Sequence, residues 1–325
     1  MTSTNRIKKS KQMLRLVRPI ELSISDLIYP IFVREDGRKF EIPSMKGQKY
    51  LSIDDAVGVC GKALDLGVPA VMIFGVINGK DSDGAVALQK DAFHPKIFKK
   101  LKAEFGENLV LISNICLCDF TKDEYCVYTR EGKVLNEKTS EMLGRIAAVH
   151  AEAGADVIAP AAMADGQVRH IRTALDSGGF DDVAIMSYIK TDSILFQPFY
   201  IAMTQSETPR KGVDSSKFRV DILNEKVFMQ KIALDVNEGA DMVIVKPAMT
   251  NQDLILRVKQ DYPNLPIAAY QVSGEYAMLK LLSEHAHIDE NNLFMESLNS
   301  IKRSGADAIL TYYALQAASL IGCKK

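Results

Sequence analysis

The sequence predicts an α/β protein: residues 25–325 form one (β/α)8 catalytic barrel of the TIM type, and residues 1–24 form an N-terminal arm. Three observations predict this fold. Eight apolar runs of strand length occur along the chain, amphipathic stretches of helix length lie between most of them, and one short phrase recurs at their junctions. No shift in composition marks a second domain.

The recurring phrase reads AGADVIAP at 153–160, EGADMVIVKP at 238–247 and SGADAILTYY at 304–313, with a looser copy, LGVPAVMIFG, at 66–75. In each copy a helix-like stretch ends at glycine, the residue that most often follows a helix C-terminus. An apolar run then begins. This pattern predicts the helix-to-strand turn of a repeated βα unit.

The predicted strands follow in order at 27–33, 71–75, 109–115, 156–160, 183–188, 242–246, 266–272 and 308–313. The amphipathic stretches 138–153 and 222–237 are typical of the helices between them. Connections as long as 34–54, 76–92, 119–137 and 191–221 usually form lids or binding loops. Since the chemistry of such barrels lies at the C-terminal ends of the strands, polar residues there are the candidates for a site.

The composition is that of a soluble globular protein, with 325 residues, 47% hydrophobic, 25% charged and a net charge of −1. This charge gives no reason to expect nucleic acid or an anionic membrane as a partner, and no apolar run reaches the ~20 residues of a membrane span. Five cysteines, three of them clustered, favour a reducing, cytoplasmic compartment over a disulfide framework. The basic residues before position 19 predict a solvated or subunit-wrapping arm.

Two lysines lie at neighbouring strand ends. Lys246 ends the sixth strand in MVIVKPAM, and Lys190 follows the fifth in IMSYIK, two residues after Tyr188. A lysine in the mouth of the barrel would have a pKa lowered by desolvation and by the charge of its neighbour, and a neutral amine forms a Schiff base with a carbonyl substrate. The alternative is a pair of lysines that reach solvent or bind carboxylates.

Cys116, Cys118 and Cys126 follow the third strand in a C-x-C-x7-C pattern. Three thiols at the active face predict a site for a thiophilic metal, with Zn²⁺ the first choice and a fourth position open for water or substrate. Three free thiols in a loop remain the alternative. The carboxylates near enough in sequence to close the site instead are Asp119, Asp123 and Glu124.

Ser273 ends the seventh strand and Tyr312 the eighth. Serine is common at helix N-caps, and a tyrosine at a strand end often only packs. The functional alternative for both is a hydroxyl that binds a substrate carboxylate.

Several long blocks carry a resemblance to a known family: DLIYPIFV, NICLCDFTKDEYC, HAEAGADVIAPAAMADGQV, EGADMVIVKPAM and LPIAAYQVSGEYAML. Together they resemble the porphobilinogen synthase (5-aminolevulinate dehydratase) family over nearly the whole chain. The resemblance implies a lyase of tetrapyrrole (haem) biosynthesis that condenses two 5-aminolevulinate molecules into a pyrrole. It also implies a homo-oligomer built from dimers, usually an octamer, in which the arm embraces a neighbour, and it leaves Mg²⁺ open as a further cofactor.

The resemblance assigns roles to the residues already named. Lys246 matches the family's Schiff-base lysine, and Ser273 and Tyr312 match the groups that hold the first substrate's carboxylate. Lys190 matches a second family lysine, although this sequence is one residue shorter between Tyr188 and that lysine; we expect Tyr188 to contact substrate as well. The three cysteines match the ligands of the catalytic zinc.

The sequence departs from the family pattern where the second substrate would bind. Neutral residues replace expected aspartate, serine or arginine at Asn114, Ala161, Ala162, Tyr200, Ser215 and Ser216. An arginine holds a carboxylate through two charge-assisted hydrogen bonds, so its loss matters. The lid residues that could compensate are Lys211, Lys217 and Arg219.

Three interpretations follow. In the first, the protein is a porphobilinogen synthase whose second site has diverged: zinc acts as a Lewis acid, Lys190 is a second imine former or general base, and the 200–220 segment closes over the reaction. In the second, a paralogue keeps the chemistry of Lys246 with a different second substrate, a class I aldolase being the limiting case. In the third, the barrel is non-catalytic.

Overall fold

A computed structural model describes residues 3–204 and 217–323 of the chain. The barrel strands, in chain order, are β1 (Leu27–Arg34), β2 (Ala70–Val76), β3 (Val110–Ile115), β4 (Val157–Pro160), β5 (Ala184–Lys190), β6 (Met242–Lys246), β7 (Ile267–Gln271) and β8 (Ala308–Thr311). Each strand pairs in parallel with the next. The barrel is closed because β1 also pairs with β8, with Leu27 opposite Ile309.

All eight predicted strands are confirmed, and their ends differ from the predicted ends by at most two residues. Two of the differences bear on the site. β5 continues through Lys190, so this lysine belongs to the strand and does not follow it. β8 ends at Thr311, so Tyr312 lies one residue beyond the strand.

Helices surround the barrel, and most of them pack against its strands. They are α1 (Lys11–Leu16), α2 (Ile53–Asp65), α3 (Phe93–Phe105), α4 (Asn136–Glu152), α5 (Gln167–Ser177), α6 (Gln197–Thr204), α7 (Glu225–Asn237), α8 (Gln252–Asp261), α9 (Ser273–His285), α10 (Glu290–Arg303) and α11 (Ala314–Gly322). Short 3-10 turns span Thr4–Lys8, Ile24–Asp26, Ala85–Leu88, Gly106–Asn108, Leu117–Asp119 and Ile194–Phe196. Across the described ranges, no helix has the length and apolar character needed to cross a membrane.

Three small strands lie outside the closed barrel ring. Tyr50–Leu51 pairs in parallel with the end of β1. Thr129–Arg130 and Lys133–Val134 form an antiparallel hairpin in the long connection after β3. The long connections predicted from the sequence thus contain short pieces of regular structure.

The recurring Gly-Ala-Asp phrase makes the same turn in all three copies. Gly154, Gly239 and Gly305 have φ of 102°, 101° and 113°, a backbone conformation that favours glycine. The aspartate two residues later accepts a hydrogen bond from the backbone N–H at the start of the preceding barrel strand. The pairs are Asp156 with Leu111 at 2.9 Å, Asp241 with Ile185 at 2.7 Å, and Asp307 with Ile267 at 2.9 Å. The phrase therefore aligns each new strand with its neighbour.

Residues 3–20 of the N-terminal segment have no buried side chain, whereas Leu22 near its end is part of the core. Neither the Thr4–Lys8 turn nor α1 contains a buried residue. Apolar side chains are exposed along it: Ile7, Leu14, Leu16 and Val17, with Leu16 80% exposed. The assignment of residues 1–24 to an oligomerisation arm stays a prediction.

Candidate active site

Lys190 and Lys246 lie side by side at the C-terminal ends of β5 and β6, where they are direct partners in the strand pairing. Their exposed fractions are 3% and 8%. Both line one cavity in the mouth of the barrel. The register of two adjacent parallel strands thus places two amines together in a largely apolar environment.

Aromatic rings surround the Nζ atom of Lys246. Its distances to the ring centroids are 4.3 Å for Tyr188, 5.3 Å for Phe196, 5.4 Å for Tyr270 and 5.8 Å for Phe199. The pKa of Lys246 is lowered to about 7, chiefly by burial and in part by the charge of Lys190. A large share of Lys246 is therefore a neutral, nucleophilic amine near neutral pH.

Lys190 lies between Lys246 and the loop that carries the three cysteines, residues 116–126, here named the cysteine loop. Its Nζ donates a hydrogen bond of 2.5 Å to the carbonyl oxygen of Ala161 and lies 3.8 Å from the Sγ of Cys126. The ring of Phe218 is 5.7 Å away. The second lysine therefore has a fixed place between Lys246 and the thiols.

The thiols of Cys116, Cys118 and Cys126 are buried, and their sulfur atoms lie within 4.8 Å of one another. Zinc–thiolate bonds of about 2.3 Å hold sulfur atoms roughly 4 Å apart, so this arrangement fits one ion. Burial raises the pKa of Cys116, and hydrogen bonding to Cys116 raises that of Cys118, an effect that a bound cation would reverse. These three residues can bind a metal, and all three line the cavity of the lysines.

The three carboxylates considered as a closing ligand behave differently from one another. Asp119 is buried, lines the cavity and accepts hydrogen bonds from the Asn114 amide at 3.1 Å and from the Cys118 thiol at 3.5 Å. Asp123 is exposed, and Glu124 binds Lys80. Within the described ranges, none of the three joins the group of mutually close ligand atoms that the cysteines form. In the described part of the chain, the clustered candidates for metal ligands are therefore the three cysteines.

Ser273 and Tyr312 are fully buried and stand one layer behind the lysine cavity. The hydroxyl of Tyr312 shares a 2.7 Å hydrogen bond with that of Tyr270, whose ring faces Lys246. Ser273 is the first residue of α9, and its Oγ lies 3.5 Å from the carbonyl oxygen of Leu195. Of the two alternatives for Ser273, the helix N-cap is not observed, because Val272 occupies that position.

Tyr188 lies under Lys246, not in the cavity wall. Its ring is the closest of the four to the Lys246 amine, and its hydroxyl is 2.9 Å from the sulfur of Met72. Burial raises its pKa well above the usual value, so the hydroxyl stays protonated. Tyr188 therefore packs against the Lys246 amine, and a contact between Tyr188 and substrate stays a prediction.

The departures from the family pattern that fall in the described ranges cluster at the cavity. Asn114, Ala161 and Tyr200 line it, and Ala162 is buried next in sequence. Ser215 and Ser216 lie outside the described residues, as does Lys211.

Of the two described cations that could compensate, the structure brings only one to the cavity. The guanidinium of Arg219 contacts the hydroxyl of Tyr200 and binds Asp192 at 2.8 Å, and its side chain is only 9% exposed. Lys217 is exposed and donates a 2.6 Å hydrogen bond to the carbonyl oxygen of Gly132. Arg219 therefore adjoins the cavity, whereas Lys217 is directed to the hairpin after β3.

Two phenylalanines that sequence patterns did not indicate cover the lysines. Phe196 ends the Ile194–Phe196 turn, and Phe199 in α6 packs on Phe32 and Phe74 at ring-centroid distances of 5.9 Å and 5.0 Å. Their only signal in the sequence was their place in the long 191–221 connection. Part of the lid expected at 200–220 falls on residues 205–216, outside the described residues.

Glu275 is a further residue that the sequence analysis missed. It is fully buried in α9, and its carboxylate accepts hydrogen bonds from the N–H groups of Val272, Ala248 and Met249 at 2.8, 3.3 and 2.6 Å. Burial raises its pKa to about 7. Glu275 thus ties the start of α9 to the loop that follows Lys246.

Comparison with known proteins now bears on this geometry. The family model for Delta-aminolevulinic acid dehydratase matches residues 1–320. The chain belongs to the delta-aminolevulinic acid dehydratase family. Curated relatives of that name are 40% identical over 322 residues in Halalkalibacterium halodurans, covering 98% of this chain and 97% of the relative, and 38% identical over 316 residues in Bacillus subtilis, covering 96% of each.

A solved structure of a family member also matches the fold. Delta-aminolevulinic acid dehydratase (porphobilinogen synthase) from Toxoplasma gondii ME49, in complex with the reaction product porphobilinogen, has a TM-score of 0.94 and 33% identity. The match covers 98% of this chain and 91% of that chain. The family resemblance predicted from sequence blocks is confirmed. The chain is an enzyme of the dehydratase class, and these matches favour the first of the three interpretations over the diverged paralogue and the non-catalytic barrel.

Proposed function

We propose that this protein condenses two molecules of 5-aminolevulinate into porphobilinogen, with loss of two waters, in tetrapyrrole (haem) biosynthesis. The observation that carries the proposal is a single cavity lined by two buried lysines and three clustered thiols. Relatives at about this similarity bear the name of the dehydratase, and the T. gondii relative was solved with porphobilinogen.

The first substrate would react with Lys246. Its neutral amine adds to the ketone carbon, and loss of one water from the adduct leaves an imine between Nζ and that carbon. The hydroxyls of Ser273 and Tyr312 would hold the carboxylate of this substrate, and Tyr188 would contact its chain. Because Phe196 and Phe199 now fill the space around Lys246, the turn and α6 must move to admit substrate and return to exclude water.

The second substrate would lie in the part of the cavity lined by Lys190, the cysteine loop and Tyr200. Arg219 is the buried cation nearest to Tyr200, and we assign to it the carboxylate that the missing family arginine would bind. Lys190, held near Cys126, would form the second imine or act as a general base. We do not assign the carboxylate of the second substrate to Lys217, since its amine donates a hydrogen bond to the carbonyl oxygen of Gly132 instead.

We assign zinc to Cys116, Cys118 and Cys126, since buried thiolates select thiophilic ions. When bound, zinc would supply Lewis-acid polarisation of the second substrate. Mg²⁺ is not part of the proposal, because in the described ranges the cluster of potential metal ligands is the cysteine group.

We further propose a cytoplasmic homo-oligomer, built from dimers, as the family resemblance implies. The exposed apolar side chains of residues 4–17 support an arm that packs on a second copy of the chain. The free thiols of all five cysteines are in keeping with a reducing compartment.

Mass spectrometry of the product tests the proposed reaction. Zinc-loaded protein incubated with 5-aminolevulinate alone should give porphobilinogen, and Lys246→Ala should abolish it, whereas Lys62→Ala, on the exposed face of α2, should not. Borohydride should trap a 5-aminolevulinate adduct on Lys246. A trapped adduct without porphobilinogen would instead mean that the second substrate is a different molecule, and full turnover by Lys246→Ala would refute the scheme.

A further inference from the structure

The loop that follows β2 reaches across to the cysteine loop through one side chain. Lys80 is largely buried, with 12% of its side chain exposed. Its Nζ donates one hydrogen bond to the carbonyl oxygen of Cys118, at 3.1 Å, and another to the carboxylate of Glu124, at 2.9 Å. Lys80 therefore contacts the cysteine loop at two points, one at a cysteine and the other two residues before Cys126.

The backbones of the two loops are also joined. Asp81 and Thr121 form a parallel bridge, in which the Asp81 N–H donates to Phe120 at 3.2 Å and the Lys122 N–H donates to Asp81 at 2.8 Å. The side chain of Asp81 accepts hydrogen bonds from N–H groups of its own loop, including that of Val86 at 2.8 Å. The loop after β2 is thus a firm support on which Lys80 is mounted.

The cysteine loop needs such a support because of its length and backbone. Seven residues separate Cys118 from Cys126, so closing the loop to bring their sulfur atoms together costs conformational entropy. Glu124 has φ of 58°, an unfavourable conformation for a residue other than glycine. The two hydrogen bonds of Lys80 span this stretch and offset part of both costs.

We propose that Lys80 is a positioning residue that holds Cys116, Cys118 and Cys126 in their metal-binding arrangement before a metal binds. Lys80 lies beyond the ligands themselves and acts through the Cys118 carbonyl and the Glu124 carboxylate. The proposal rests on the proposed metal site. Loss of such an outer contact typically weakens metal affinity by about 10- to 100-fold.

The first test is metal affinity. Zinc affinity of Lys80→Met, measured by competition with a chromogenic chelator, should be about tenfold weaker than that of the native protein. Glu124→Gln should have a smaller effect, because the bond to Cys118 remains, and Lys80→Arg should retain most of the affinity. The matched control is Lys122→Met, which removes an exposed lysine of the cysteine loop and should leave zinc affinity unchanged. Equal affinities in Lys80→Met and Lys122→Met would overturn the proposal.

The second test uses metal-free protein, so it does not depend on the metal assignment. Thiol alkylation followed by peptide mass spectrometry should show faster labelling of Cys116, Cys118 and Cys126 in Lys80→Met than in Lys122→Met. Buried Cys60 and exposed Cys323 serve as slow and fast internal references.

The labelling result separates a local role from general damage. Unchanged labelling of the three cysteines, or equal acceleration at Cys60, would refute a local positioning role. If the native protein bound no thiophilic metal while Lys80→Met still accelerated labelling, the metal assignment would fail and the support of the loop by Lys80 would stand.

Discussion

The two halves of the cavity are built from different parts of the barrel. The half that contains Lys246 is backed by residues at or just beyond strand ends, such as Tyr188, Tyr270 and Tyr312, all fixed by the pairing of β5 to β8. The half that would receive the second substrate draws mainly on residues from the connections between strands, among them the three cysteines in the loop after β3 and Tyr200 in α6. The first half keeps the sequence blocks of the family, and the second half has lost several.

This difference shows where a barrel enzyme can change. A strand-end residue cannot move without altering the register of the closed sheet, so its role is tied to its position. Loop residues are free of that constraint, and a cation lost at one loop position can be supplied by another. Arg219, in contact with Tyr200, is the residue to which we assign this replacement in the proposed function.

The largest effect is expected from removing a ligand of the proposed metal, a change that should disable the second half of the cavity and leave the first half active. Cys116→Ala should reduce porphobilinogen formation by at least about 100-fold, because metal polarisation of a substrate provides several kcal/mol. The borohydride-trapped adduct on Lys246 should persist, since that half needs no metal. Loss of the adduct together with the product would show that the halves do not act separately.

Arg219 and Lys217 offer a matched pair of cations two residues apart. Arg219→Gln should raise the half-saturating concentration of 5-aminolevulinate by roughly 10- to 100-fold, the cost of losing a charge-assisted hydrogen bond. Lys217→Gln should leave it unchanged. Steady-state kinetics on both variants tests whether Arg219 binds the carboxylate of the second substrate. A larger effect of Lys217→Gln would assign that carboxylate to Lys217, beside the hairpin after β3.

Two buried titratable groups, His94 and Glu275, should make the free energy of unfolding depend on pH in opposite directions. His94 stacks on His150, which lies 2.7 Å from Ser113 in β3, and burial lowers the pKa of His94 to about 4. The unfolded chain then binds more protons between pH 4 and 6.5, so this group costs stability as pH falls. Glu275, with its pKa raised to about 7, binds its proton more tightly in the folded state and costs stability as pH rises from 4.5 to 7.

Denaturant unfolding across pH 4.5–7.5 measures both contributions. His94→Phe should flatten the rise of the unfolding free energy with pH by up to about 1.4 kcal/mol per pH unit. Glu275→Gln should steepen the same curve. Parallel curves for the native protein and both variants would show that neither group titrates between the folded and unfolded states as described.

The smallest effect is expected from removing the charge of Lys190, which lies next to Lys246 where the two halves meet. Lys190→Met removes the positive charge that lowers the pKa of Lys246, so that pKa should rise and less neutral amine should be present at pH 7. Trapping of 5-aminolevulinate on Lys246 at pH 7 should become roughly two- to fivefold slower, a change of under one pH unit. The pH midpoint of trapping should move upward; a midpoint that stays fixed would show that the charge of Lys190 does not lower the pKa of Lys246.

Much of the fold and part of the site followed from local sequence patterns. Apolar runs of strand length, the glycine turns and Lys246 at the end of such a run located the eight strands and the first half of the cavity. The C-x-C-x7-C spacing predicted a cluster of thiols, and the structure brings the three sulfur atoms together. These features are local because they depend on side-chain periodicity and on short turns.

Only the tertiary structure distinguished Arg219 from Lys217, placed Phe196 and Phe199 over Lys246, and revealed the contacts of Glu275 and Lys80. Each of these depends on residues distant in sequence meeting across loops. The sequence by itself determined the barrel, the family and the lysine that we propose forms the Schiff base. The paths of the loops decided which charged side chains lie beside the second half of the cavity, because no local sequence pattern specifies where a long connection meets the barrel again.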